Sequence, residues 1–161
     1  MSRISKTNYY LEIAKTVAMR GTCLRRKFGA IIVKDDVIVS TGYAGAPRGR
    51  KNCCDLNFCL RDKMNIPHGE RYELCRSVHA EANAIIAASR DRMLGATLYL
   101  ACIDPKTGET VPGTCCCQMC KRLVINAGIE QVIVQEEGDN YTVYKVSDWV
   151  ENDDSMGQIG Y

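Results

Sequence analysis

Histidine is nearly absent from this 161-residue chain, which has only two, His68 and His79. A centre that needs imidazole therefore has two candidates and no more. An excess of one charge is also missing: 21 Lys and Arg against 19 Asp and Glu leave a net +2. That excludes the broad basic field of a dedicated nucleic-acid binder and of a strongly membrane-seeking surface. An anionic ligand must then be held by local groups. No apolar run reaches membrane-spanning length, and Met1 to Gly21 contains none long enough for a signal peptide, so the chain is expected to be cytoplasmic, with no membrane partner. There is no internal repeat. Hydrophobic residues at 46% and charged residues at 25% are ordinary globular usage, which excludes a mainly disordered, collagen-like or coiled-coil chain. The length suits one domain with one main core. Cysteine is what the chain has in excess, with 10 residues. In a reducing cytosol, clustered thiols point to metal ligation or catalysis, not to disulfides.

The apolar positions Tyr10, Ile13, Ala14, Val17 and Ala18 recur at helical spacing and predict a helix from about Thr7 to Arg20, closed by Gly21. Phe28–Val33 and Val37–Thr41, separated by Lys34-Asp-Asp36, read as a β-hairpin. Gly42 to Gly49 is loop-like, and the cysteine-bearing segment Lys51–Cys75 has no clean period and reads as an ordered insert. Beyond it the pattern predicts a helix His79–Arg90, a strand Ala96–Ala101, a turn-rich stretch, a helix Cys117–Ala127 ended by Gly128, and a strand Gln131–Gln135. Strands separated by helices imply an α/β fold, with a partly parallel sheet covered by helices. The domain is expected to span residues 1–150, with a loose polar tail over 151–161 that includes the solvated pair Asp153-Asp154.

The chemistry is carried by His79-Ala80-Glu81 and by Cys117-Gln118-Met119-Cys120, each opening a predicted helix. A helix start offers unpaired N–H groups and partial positive charge, which favour thiolates and carboxylates. Cys117 and Cys120 lie three apart on one helical face and can reach a single ion. With His79 they make one nitrogen and two sulfur ligands, a zinc set that leaves a fourth position open for water. Among Cys115, Cys116, Cys117 and Cys120, only Cys117 and Cys120 have two residues between them. Glu81 is then the proton carrier between water, a substrate nitrogen and a leaving amine. The bland alternative is a closed structural zinc site, or packed thiols.

The His-x-Glu and Cys-x-x-Cys pairing resembles the zinc-dependent cytidine and deoxycytidylate deaminases. The deoxycytidylate branch is the one most similar in Thr22-Cys-Leu-Arg-Arg-Lys-Phe-Gly-Ala30, Gly42-Tyr-Ala-Gly45, Asn52-Cys-Cys-Asp55, His79-Ala-Glu-Ala-Asn-Ala-Ile85 and Asn126-Ala-Gly-Ile129, and the likeness runs from about Ile4 to Val150. The resemblance implies a cytidine-deaminase-like three-layer α/β/α fold with a central mixed five-stranded sheet. It implies Zn2+ on His79, Cys117 and Cys120, Glu81 as proton shuttle, and the Ala80 N–H facing the pyrimidine carbonyl. The implied reaction is hydrolysis of dCMP at C4 to dUMP and ammonia, which feeds thymidylate synthesis. It also implies dCTP and dTTP as effectors and a homo-oligomer, commonly a hexamer. Two positions depart from the family: Cys116 stands where the family has proline, and Ala44 where it has asparagine.

Some relatives carry a second, structural zinc, and the resemblance suggests Cys23, Cys53, Cys75 and His68 for it, with Cys54 and Cys59 as further candidates. Arg25, Arg26, Arg48 and Arg50 are the local cations near site-forming loops, and Arg26 is the first choice for a phosphate. Tyr43, Ala44 and Tyr141 are further substrate-contact candidates from the resemblance. Tyr141 is expected in the loop after the strand Gln131–Gln135. Two other readings stay open on sequence: a deaminase acting on another cytosine or adenine nucleoside, nucleotide or nucleic acid, and a zinc-organised nucleotide-binding module without turnover.

Overall fold

The computed structural model describes residues 1–154. Helix α1 (Lys6–Ala18) starts at Ser5, whose hydroxyl accepts from the Asn8 N–H at 3.2 Å. It stops short of Arg20 because the N–H groups of Met19, Arg20 and Gly21 each turn back three residues, onto the carbonyls of Thr16, Val17 and Ala18. The strands β1 (Lys27–Lys34) and β2 (Val37–Tyr43) form the expected hairpin. Asp35 and Asp36 both have left-handed φ, 50° and 61°, as a tight two-residue hairpin turn requires. The insert holds two single-turn helices, α2 (Cys53–Leu56) and α3 (Leu60–Lys63), and a 3-10 turn at Tyr72–Leu74.

The predicted helix His79–Arg90 is two helices, α4 (Ala80–Ile86) and α5 (Arg90–Met93). The break falls at Ser89, which is extended (φ −82°, ψ 150°) and stands as the N-cap of α5. Its polar side chain competes with helix continuation. After β3 (Thr97–Ile103) come α6 (Gln118–Ala127), closed by Gly128 at φ 79°, and β4 (Gln131–Gln135). A strand β5 (Tyr141–Lys145) and a helix α7 (Val146–Glu151) are the last elements among the described residues; neither is placed by the sequence pattern. The tail is therefore not loose at its start. Helix α7 crosses the expected boundary at residue 150, and Asp154 pairs with Lys121 at 3.2 Å and accepts from Gln118 at 3.0 Å. Residues 155–161 of that tail lie outside the described residues.

The sheet order is β2-β1-β3-β4-β5, with β3 and β4 parallel and the other pairs antiparallel. This is the mixed five-stranded sheet expected, and helices cover both faces. Alternate residues of one strand serve the two layers. Ala30 and Ile32 of β1, Leu98 and Leu100 of β3, and Val132 and Val134 of β4 pack under α4 and α6. Ile31 and Val33, Tyr99 and Ala101, and Ile133 pack under α1. Because both faces are covered, these strands read as continuous apolar runs.

Gly42 sets how closely α4 can lie on β2. A Cβ there would sit 2.5 Å from the Ala80 carbonyl oxygen and also collide with the Ala84 N–H nitrogen, both of them backbone atoms of α4 that no side-chain rotation can move. Gly42→Ala should therefore cost about 1–3 kcal/mol, the usual range for overpacking. Urea denaturation measures it, and a change inside experimental error would show that α4 can slide on the sheet.

Candidate metal centre and pocket

Two helix starts converge at one point. His79 is the N-cap of α4, and Cys117 is the N-cap of α6 with Cys120 in its first turn. The His79 Nδ1 lies 3.5 Å from the Cys117 sulfur and 3.4 Å from the Cys120 sulfur. Among the described residues this is the one group of three metal-ligating side chains whose donor atoms all lie within 4.8 Å of one another. One imidazole nitrogen and two sulfurs suit zinc, and three protein ligands leave a position open.

The three side chains shift one another strongly. Hydrogen bonding from Cys120, with support from His79, holds Cys117 down to about 4, although burial opposes it. Burial disfavours a charged ring at His79, but hydrogen bonds with Cys117 and Cys75 and the charge of Glu81 outweigh it and raise the ring to about 10. The hydrogen bond to Cys117 pushes Cys120 far up, and burial adds to it. These shifts favour a thiolate at Cys117, a protonated ring at His79 and a thiol at Cys120. Glu81, in the first turn of α4, is 4% exposed, and burial raises its carboxyl above the usual range, against the pull of His79 and of the Cys116 thiol. The position that holds proline in the family is thus a buried cysteine that hydrogen-bonds the carboxylate.

These groups open into a cavity of about 340 Å³. Arg26, Ala44, Ala80 and Glu81 line it, and so do Arg25 and His68. Ala80 sits at the first position of α4, where a backbone N–H has no partner within the helix. Tyr43 does not reach this cavity. It lines a neighbouring one of about 290 Å³ with Arg20, Arg48 and Arg50, and its carbonyl accepts from Asn83 at 2.8 Å. Tyr141 is absent from both cavities. It lies on edge strand β5, paired with Gln135, and influences Tyr99 on the α1 side of the sheet.

Cys23, Cys53, Cys75 and His68 do not come together as a second metal group. The Cys75 thiol is turned to His79, the Cys23 sulfur accepts from the Arg25 N–H at 3.4 Å, and Cys53 is buried within electrostatic reach of Cys23, Cys59 and Cys75. His68 and Cys75 instead line the main cavity. Among the lining residues that the sequence did not single out are Arg61 and Tyr72, both in the aperiodic insert. The Tyr72 ring meets the His79 ring edge-on, with centroids 5.1 Å apart at 84°.

The model for the cytidine and deoxycytidylate deaminase zinc-binding region matches residues 4–136. The chain is 37% identical over 142 residues to the deoxycytidylate deaminase of Mycobacterium phage D29, covering 85% of this chain and 99% of that one. It is 32% identical over 131 residues to the deoxycytidylate deaminase of Schizosaccharomyces pombe, covering 81% of this chain and 37% of the yeast protein. Among solved structures, the dCMP deaminase of cyanophage S-TIM5 in complex with dCMP and dUMP is similar at TM-score 0.55 and 22% identity, over 94% of this chain and 91% of that one. Cytidine deaminase of Burkholderia pseudomallei is similar at TM-score 0.58 and 18% identity, over 92% and 95%. At these identities the two structures speak for the fold.

Zinc uptake by the metal-free protein at pH 7 should release about two protons, because ligation needs a neutral imidazole and two thiolates. One comes from the His79 ring and one from the Cys120 thiol, Cys117 being already ionised. Calorimetry in buffers of different ionisation enthalpy counts them; release of none would contradict the imidazolium assignment.

Proposed function

Because the chain belongs to the cytidine and deoxycytidylate deaminase zinc-binding family, we propose that it hydrolyses dCMP to dUMP and ammonia. The observation that carries this reading is the trio His79, Cys117 and Cys120 with the buried carboxyl of Glu81, at a cavity whose lining includes Arg25, Arg26 and Arg61. His79, Cys117 and Cys120 would hold zinc, and bound there it supplies a Lewis acid that makes water nucleophilic at neutral pH.

The remaining work falls to this chain's own groups. Glu81 takes a proton from the attacking water, delivers it to the ring nitrogen beside C4, and passes the next to the departing amine. Burial raises the carboxyl above the usual carboxylate range, which favours its holding the proton between the two transfers. The Ala80 N–H binds the pyrimidine carbonyl. Phe28 gives the cavity an apolar wall for the base. Apart from Glu81, the lining has no carboxylate, so an anionic phosphate meets only the guanidinium groups.

The second cavity, with Arg20, Arg48 and Arg50 and no carboxylate in its lining, suits the triphosphates dCTP and dTTP as effectors. The homo-oligomer, read as the hexamer, rests on the family resemblance. The ten cysteines are all free thiols, which supports a cytoplasmic setting, and no helix of the described residues is long and apolar enough to cross a membrane.

Glu81→Gln should lower kcat for dCMP by about 10²–10⁴-fold, the usual weight of a general acid–base, while bound zinc stays at one per chain. Ammonia release and metal analysis of the same preparation test this, and an active Glu81→Gln enzyme would overturn the mechanism.

A further inference from the structure

Arg61 is an anomaly in electrostatic terms. It lies on the short helix α3 of the insert, is 4% exposed, and lines the main cavity. Its Nη2 donates to the backbone carbonyls of Pro67 at 3.1 Å and Glu70 at 2.7 Å. Its guanidinium carbon lies 4.5 Å from the centroid of the Tyr72 ring. Its Nε is buried and has no hydrogen-bond partner. Among the described residues no carboxylate pairs with it: the neighbouring Asp62 turns to Arg25 instead, Oδ1 to Nη1 at 3.3 Å. A buried charge without a counter-charge costs several kcal/mol. The carbonyls and the ring hold the guanidinium in place but leave its charge uncompensated.

The other two arginines of the cavity each have a carboxylate within 4.0 Å. Arg26 is 45% exposed in its side chain, has Asp104 at 3.9 Å, and donates to the Arg25 carbonyl at 3.0 Å. Arg25 has Asp62. Arg61 is also tied to the reacting end, since the ring beneath its guanidinium is the Tyr72 ring that meets His79 edge-on. The guanidinium lies over the face of the Tyr72 ring, that ring meets the His79 imidazole edge-on, and all three residues line the cavity, so they form one contiguous row. A nucleotide with its base at the metal end would extend its 5′-phosphate along that row.

We propose that Arg61 is the residue that recognises the 5′-phosphate, and that it sets the preference for the nucleotide over the nucleoside. This rests on the dCMP reading above. The phosphate supplies the missing counter-charge, and the insert that looked aperiodic in sequence serves to fix one buried guanidinium. Arg26, the first choice on sequence, becomes a peripheral, solvated contact.

The test compares kcat/KM for dCMP and for deoxycytidine in the zinc-loaded full chain and in Arg61→Gln, Arg61→Lys and Arg26→Gln. Arg61→Gln should lose about 100-fold on dCMP, chiefly through KM, as removal of one partner of a buried charge pair does, with a much smaller loss on deoxycytidine. Arg61→Lys should recover part of the loss, and Arg26→Gln should lose less than Arg61→Gln. Equal losses on both substrates, or a preference for dCMP that survives in Arg61→Gln, would overturn the assignment while leaving the dCMP reading intact. A wild-type enzyme with no preference for dCMP would overturn both. Should Arg61→Gln fail to fold, the wild-type protein decides. With arginine side chains ¹⁵N-labelled and Arg61→Lys used to assign the signal, the Nε–H resonance of Arg61 should shift on addition of dUMP and not of deoxyuridine. A resonance that ignores dUMP overturns the proposal.

Discussion

Everything at the site depends on two helices beginning at the same place. The starts of α4 and α6 are 38 residues apart in sequence, measured from His79 to Cys117, yet the ring nitrogen and the sulfur are 3.5 Å apart. Placing them there requires the parallel pairing of β3 and β4, which puts α6 in the crossover between those strands, and the close approach of α4 to β2 that Gly42 permits. The unpaired N–H groups at both starts add positive potential where two thiolates and a carboxylate must be kept. The same convergence buries Glu81, and burial raises its carboxyl above the usual carboxylate range.

How legible this was depends on the range over which each feature is determined. The trio and Glu81 are fixed by short spacings at helix starts, so composition and motif sufficed to pick them out. The hairpin at Asp35-Asp36 and the end of α6 at Gly128 are local turn chemistry and were equally visible. Ser89 carried a legible capping signal that the helical period around it masked. β5 was missed because an edge strand with only one face covered buries little: its residues alternate between exposed and half-buried, and Tyr141 was left to a loop. Arg61 and Tyr72 had no signal at all. What makes them matter is the absence of a carboxylate near one and the presence of a histidine ring near the other, both relations across the fold and not along the chain.

The cysteines sort in a similar way. Cys117 and Cys120 belong to the trio, Cys116 reaches Glu81, and Cys75 supports His79. Cys102 is fully buried on β3, and burial drives its thiol up to about 12, so it behaves as a small hydrophobe. The excess of thiols therefore has no single explanation. Part of it is ligation, part is support of the ligands, and part is packing.

The distance in sequence between His79 and the two cysteines, 38 and 41 residues, has one more consequence. An ion held by all three ties together segments that an unfolded chain would let drift far apart, so it acts as a reversible cross-link around a loop that contains α5 and β3. Occupancy of the site is then part of the cohesion between the layer formed by α4 and α6 and the sheet beneath it. A chelator would remove more than a reagent: it would open the joint on which the shape of the cavity depends.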